Sequence, residues 1–487
     1  MIDSIRTFVT KNHPENYRPD IDGLRALAVL SVLLFHAKLG CPGGFVGVDI
    51  FYVISGYLIS SIILADLLAG KFSLFAFWER RIRRILPALV VVVLATVIAG
   101  WFLFMPEDYA VLGKSVAAQA TLLANVFFYR QGYAEGGYFA IAPPPRPLLH
   151  TWSLAVEEQF YLLFPLLLIF LARHGRVWLL NATIFLLAGS FAWSAYGSYF
   201  HPQAAFYLLP GRAWELALGA LLAMVRGRLA AGGAVREMCG WAGIGLIGFA
   251  LFGYNEITRF PGQAAVPPCM GAALIIFSNE SKNSSVGRIL SFKPVVFIGL
   301  ISYSLYLWHW PLLDFLKYVC SQGPDANARA ATLGASLILA CLTWKFVETP
   351  FRKKWVLPGR PQIFGFAGIS TAISLVVGLG ILHLGGIPSR IGAHDFLRYT
   401  DYKNHYAFRE QLSLDQALNS QYANIGGQKT NQPIKVLIWG DSHAMSITPV
   451  LDDLCRKYSC RGELAGFHAT APALEYVSKG RYALNET

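Results

Sequence analysis

Arg25 and His36 lie eleven positions apart in one apolar stretch. On a helix that spacing is about three turns and a rise of roughly 16 Å, so the two side chains share a face. An imidazole held at depth can take a proton from a hydroxyl. It can equally be a hydrogen-bonded packing residue, and helical spacing alone leaves both readings open. Four arginines follow in Phe77-Trp78-Glu79-Arg80-Arg81-Ile82-Arg83-Arg84-Ile85-Leu86-Pro87, expected as a loop on the cytoplasmic side. Guanidinium forks match phosphate oxygens bidentately, but basic residues beside a span also serve topology and lipid head groups. Glu157 and Glu158 stand side by side behind Trp152-Ser153-Leu154, and adjacent carboxylates in an apolar segment are costly unless paired. Glu157 is a candidate to orient His36, to hold a reacting hydroxyl, or simply to neutralise an arginine. Asp49 and Ser55 face the same need for partners in lipid.

The elements that must hold these groups are membrane helices. The chain has 487 residues, 55% hydrophobic and 14% charged, with mean hydropathy +0.45. Soluble domains carry nearer a quarter charged residues, so a purely water-soluble enzyme is excluded by composition. The net charge is +12, and nearly all of the excess lies before residue 386, dispersed between apolar runs. That dispersal argues for positive cytoplasmic loops rather than nucleic-acid binding. Runs near the length needed to cross a bilayer lie at 24–39, 45–69, 85–105, 152–172, 177–199, 207–225, 239–254, 264–278, 295–319, 328–347 and 363–385. A further stretch, 111–130, is interrupted by Lys114, Ser115, Gln119 and Asn125. If it does not span, most basic residues fall on the cytoplasmic side with the N-terminus inside; if it spans, the two sides become equal. The bias favours eleven spans, N-terminus in and C-terminus out. Residues 386–433 are polar and read as an extracytoplasmic linker, and Ile434–Trp439 as a short buried strand. Of seven cysteines, Cys239, Cys269 and Cys341 fall in spans, Cys455 and Cys460 are able to pair outside, and no spacing suits zinc.

Taken together, these segments resemble acyltransferase family 3. The resemblance rests on Arg25 with His36, on Gly44-Phe45-Val46-Gly47-Val48-Asp49-Ile50-Phe51-Tyr52-Val53-Ile54-Ser55-Gly56-Tyr57, on the arginine segment and on the His150–Tyr161 run. It continues in Ile301-Ser302-Tyr303-Ser304-Leu305-Tyr306-Leu307-Trp308-His309-Trp310-Pro311 and in Phe346-Val347-Glu348-Thr349-Pro350-Phe351-Arg352, covering roughly 17–355 in order. It implies an all-α polytopic domain over 1–385 and a bacterial inner-membrane O-acyltransferase acting on cell-envelope glycans such as O-antigen. It also implies acetyl-CoA as acyl donor, no metal and no nucleic acid. The family's functional positions map to Arg25, His36, Arg81, Arg84 and Glu157; Arg80 and Arg83 stay open as further members of a clamp.

The strand followed by Gly440-Asp441-Ser442-His443 resembles the first block of SGNH hydrolases, which makes residues 434–487 the front of an α/β domain with Ser442 as nucleophile. That family needs a later Asp-x-x-His block, and after Ser442 only His443 and His468 are histidines. Gly462, Gly466 and Asn485 receive no role. The expectation is a domain cut short and not catalytically competent as it stands.

The resemblance sets a mechanism to test. Arg25, Arg81 and Arg84 hold the phosphates of cytoplasmic acyl-CoA, and His36 acts as general base with Glu157 orienting it, or forms an acyl-histidine. Ser442 would carry the acyl group to a glycan. A transporter accounts for spans and buried charges but not for the arginine segment or the serine block. A membrane-anchored glycan esterase accounts for the serine block alone.

Overall fold

The computed structural model describes residues 17–135, 145–228, 231–280, 284–320, 323–390, 422–426, 433–440 and 442–466. The chain divides into two compact units, Met1–Ile387 and Pro388–Thr487.

The first unit is helical. It begins with α1 (Pro19–His36), whose Pro19 opens the helix and whose Asp20 and Asp22 lie in the first turn. There they meet the positive end of the helix dipole. Next come α2 (Gly47–Leu68) and α3 (Leu74–Leu103), where Ser73 caps the end by accepting from the Ala76 N–H at 3.3 Å. The segment 111–130 is not one helix. It is divided between α4 (Pro106–Ala120) and α5 (Ala124–Glu135), and Leu122 at the break has φ +59°. Neither piece alone has the length to cross a bilayer core.

Then follow α6 (Thr151–Ala172), α7 (Arg176–Phe200), α8 (Pro202–Tyr207) and α9 (Leu209–Val225). After them come α10 (Gly233–Gly253), α11 (Val266–Ser278), α12 (Ser285–Leu290) and α13 (Lys293–Val319). The unit closes with α14 (Ala326–Thr343), a π turn over Trp344–Glu348, α15 (Thr349–Arg352) and α16 (Arg360–His383).

Among the described residues, nine helices are long and apolar enough to cross a membrane. The two remaining runs expected from the sequence are helical too, but α1 carries Asp20, Asp22 and Arg25, and Gly262–Ser278 is short. This is the architecture of a multi-pass membrane protein.

Two close approaches set the bundle around the polar residues. A Cβ added at Gly56 of α2 would stand 1.9 Å from the Leu216 carbonyl oxygen of α9, and one at Gly299 of α13 would stand 1.8 Å from the Asp22 oxygen of α1. Small residues let membrane helices meet backbone to backbone. The second contact seats α1 on α13, the two helices that carry His36 and His309.

In the second unit, β1 (Ala423–Ile425), β2 (Ile434–Gly440), α17 (Ser442–Lys457) and β3 (Arg461–Gly466) form a three-stranded sheet in the order β1-β3-β2. β2 and β3 are parallel and joined through α17, while β1 runs antiparallel to β3. Ile425, Ile438, Met445, Cys455 and Leu464 form its small core. Cys455 and Cys460 are both free thiols.

Candidate active site

The arginine segment is not a loop. It forms the first turns of α3, and the helix sorts its four arginines by face. Arg83 is consumed by the fold. Its Nε donates to Glu79 at 3.0 Å, Nη1 to the Leu357 carbonyl at 2.7 Å, and Nη2 to those of Pro358 and Gly359 at 3.0 and 3.3 Å. Glu79 also takes Lys354 and Arg360, each at 3.1 Å, so this corner ties α3 to the start of α16. Arg80 reaches Asp66 at 3.1 Å on the surface. Neither lines the cavity that the other two share with Arg25.

Arg81 and Arg84 turn the other way. With Arg25 they line a cavity of about 90 Å³ whose walls also include Ser55, Glu157, Tyr161, Ser302 and Tyr306. Arg25 gives one N–H to Asp22 at 3.0 Å, and Asp22 is held in turn by the Tyr17 hydroxyl at 2.8 Å. Arg81 lies 5.8 Å from the centre of the Tyr161 ring. Its buried Nε has no hydrogen-bond partner, and no carboxylate ion-pairs with Arg81 or Arg84 among the described residues. Three guanidinium groups with spare donors around one cavity make a strong anion site.

Glu157 lines the same cavity and accepts from the Ser55 hydroxyl at 2.5 Å. It makes no hydrogen bond to His36, so the expectation that it orients the imidazole is corrected. Its neighbours are the three arginines instead, because α6 delivers it to their level of the bundle and not to the end of α1. Glu158 points to an adjoining, mostly apolar cavity that shares Arg81, Ile85 and Leu154 with the first.

Among the described residues, His36 meets His309 of α13. His36 Nδ1 and His309 Nε2 are 2.9 Å apart, the rings are parallel to within 11°, and Trp310 meets His36 edge-on with centroids 4.5 Å apart. On its other side, His309 Nδ1 donates to the Tyr306 carbonyl at 2.6 Å. Tyr306 lines the arginine cavity, and its hydroxyl is 2.7 Å from that of Ser153. His150 packs beside Tyr306 and His309 at centroid distances of 5.6 and 6.0 Å. A short line of side chains thus leads from the cavity to His36.

Two clusters had no assigned partner at the level of sequence. Asp49 finds Arg212, which ion-pairs with it at 3.0 Å and with Glu215 at 2.8 Å. The rings of Tyr52, Trp152, Phe206 and Phe260 surround that guanidinium. Donor atoms of Asp49, Glu215 and Cys269 lie within 4.8 Å of one another; Arg212 takes one oxygen of each carboxylate, and Asp49 Oδ2 and Glu215 Oε2 are buried without a hydrogen-bond partner. The π turn presents Glu348 to Ser304 at 2.9 Å, the extra backbone residue of such a turn re-aiming a side chain.

In the second unit, β2 ends at Gly440 and Ser442 is the first residue of α17, the order of strand and helix that such a serine turn requires. Gly466 pairs with Gly440 at the ends of the parallel strands, whereas Gly462 sits at the start of β3 facing Ile425. Asp441, the side chains of Ser442 and His443, and the residues His468 and Asn485 lie outside what the structure describes.

The acyltransferase domain family matches residues 18–378. The chain belongs to acyltransferase family 3. A second family, described as an SGNH domain fused to such acyltransferase domains, matches 406–486, beginning inside the polar stretch after the last helix. Among its relatives, the peptidoglycan O-acetyltransferase OatA of Listeria monocytogenes is 35% identical over 71% of this chain and 57% of its own length. The O-acetyltransferase OatA of Staphylococcus aureus is 32% identical over 71% of this chain and 58% of its own. A putative membrane-bound transacylase, BcsY, of Komagataeibacter xylinus is 35% identical over 69% and 83%. The chain therefore spans less than two thirds of the two O-acetyltransferases it matches. No solved structure matches it.

Proposed function

We propose that this family 3 member is an O-acyltransferase of the bacterial inner membrane, moving an acetyl group from cytoplasmic acetyl-CoA to a hydroxyl of an extracytoplasmic envelope glycan, such as O-antigen or peptidoglycan. The observation that carries the proposal is the convergence of Arg25, Arg81 and Arg84 on one cavity, about three helical turns from His36 along α1. Acyl-CoA is a thioester on a polyphosphate handle. The arginines hold the phosphates, and the pantetheine arm lies along the serine and tyrosine hydroxyls towards Tyr306.

At the far end, His36 Nε2 takes the proton of the acceptor hydroxyl as its oxygen attacks the thioester carbonyl. The C–S bond breaks, the ester forms, and the thiolate leaves with the proton that His36 returns. Glu157, hydrogen-bonded to Ser55, balances the arginines when no phosphate is bound. With an Asp-x-x-His block to partner it, Ser442 would hold the acetyl group as an ester on the exported side before a glycan hydroxyl takes it.

The test is transfer from radiolabelled acetyl-CoA by the full chain reconstituted in lipid nanodiscs. Base-labile label on protein or added envelope glycan is the expected result. Label that stays with CoA in the presence of acceptor would overturn the proposal. Comparing ester-linked acetate on envelope glycans of cells with and without the gene then identifies the acceptor.

A further inference from the structure

We infer that His309 is a positioning residue for acyl transfer, fixing the tautomer of His36 through a chain that runs from the Tyr306 carbonyl through both imidazoles. The inference rests on the reading of His36 as the base.

A carbonyl oxygen only accepts. The 2.6 Å contact to Tyr306 therefore places the proton of His309 on Nδ1. In a neutral ring that leaves Nε2 as an acceptor, and the group 2.9 Å from it is His36 Nδ1, which must then carry its own proton. The lone pair of His36 is accordingly on Nε2. Which nitrogen carries the lone pair is set by the bond the other one makes.

The chain is held rigidly. His309 is fully buried, and Trp310 beside it donates from Nε1 to the Arg146 carbonyl at 2.8 Å. The close seat of Gly299 on α1 fixes the distance between the two histidine-bearing helices. Catalytic histidines are commonly oriented by a carboxylate. Here the orienting group is neutral, which avoids burying a charge in the bilayer interior. It also makes the chain self-consistent: when His36 accepts a proton, its Nδ1–H still points at a lone pair.

The test compares His309→Phe with His309→Gln in the full chain in nanodiscs, with His36→Ala as reference. Phe keeps the ring and removes the acceptor. Gln places an amide oxygen within reach of His36 Nδ1–H. His309→Phe is expected to lower kcat by roughly 100- to 1000-fold, within the range of general-base contributions, with KM for acetyl-CoA within about twofold. His309→Gln is expected to recover most of kcat. Wild-type kcat in His309→Phe, or equal losses in both variants, would overturn the inference. If His36→Ala retains transfer, the reading of His36 fails instead, and the two failures are told apart.

Discussion

Arg81 and Arg83 stand two positions apart and do different work. Arg83 spends its donors on Glu79 and three carbonyls, while Arg81 and Arg84 keep theirs for the cavity. Charge-assisted hydrogen bonds contribute about 1.5–3 kcal/mol each. Arg84→Ala should therefore raise KM for acetyl-CoA by roughly 10- to 100-fold at little cost in thermal stability. Arg83→Ala should do the reverse, lowering the melting temperature by several degrees because it leaves Glu79 and the carbonyls short of a donor. Steady-state kinetics beside a melting curve for each variant checks both. His36→Ala should abolish transfer without changing the amount of protein in the membrane, read from ester formation and from immunoblots of membrane fractions. The spacing of Arg25 and His36 was legible in the chain because it needs only helical periodicity. His309 was not, since the contact joins residues 273 positions apart and only the packing of α1 on α13 makes it. Glu157 was singled out as polar and buried, but which partner it meets depends on how α6 is rotated against α2.

Elements matter through their crossings. Gly299→Val puts a branched side chain where Asp22 already stands, 1.8 Å from an added Cβ. Overpacking of this kind costs about 1–3 kcal/mol, and relief requires α1 to move off α13, parting His36 from His309. The expected outcome is a lower melting temperature together with a loss of kcat larger than the loss of folded protein. Gly56→Leu, at the crossing of α2 with α9, should lower stability similarly and disturb Asp49 and Arg212. Thermal unfolding in nanodiscs, normalised against transfer activity, measures both. Helix positions were readable from hydropathy to within about six residues, except the start of α3 at Leu74, which lies well before the run expected at 85–105. The division of 111–130 was signalled by its polar residues, but the break at Leu122 was not, because nothing in Leu marks a left-handed turn. The arginine segment read as a loop because its charge outweighed its helical propensity; anchoring of Arg83 and Glu79 to the residues before α16 makes it the start of α3.

On the scale of the whole molecule, the distribution of basic residues predicts sidedness. Eleven spans would put the N-terminus inside and the fused SGNH-like part outside. A cysteine introduced at Lys71, on a background lacking reactive thiols, should label with an impermeant maleimide only after the membrane is opened. One introduced at Lys435 should label in intact spheroplasts. The reverse pattern, or the same pattern at both sites, would refute the assignment. The second unit was recognised from a strand, a turn and a serine, and the structure supplies the parallel strand pair that such a turn needs.

The central claim is that the three-arginine cavity holds the acyl donor separately from the group that performs the transfer. Equilibrium binding of acetyl-CoA to the purified full chain in nanodiscs tests it most directly. Wild type and His36→Ala should bind alike, while the double variant Arg81→Ala, Arg84→Ala should bind at least about a hundredfold more weakly. Unchanged affinity in the double variant would contradict the account.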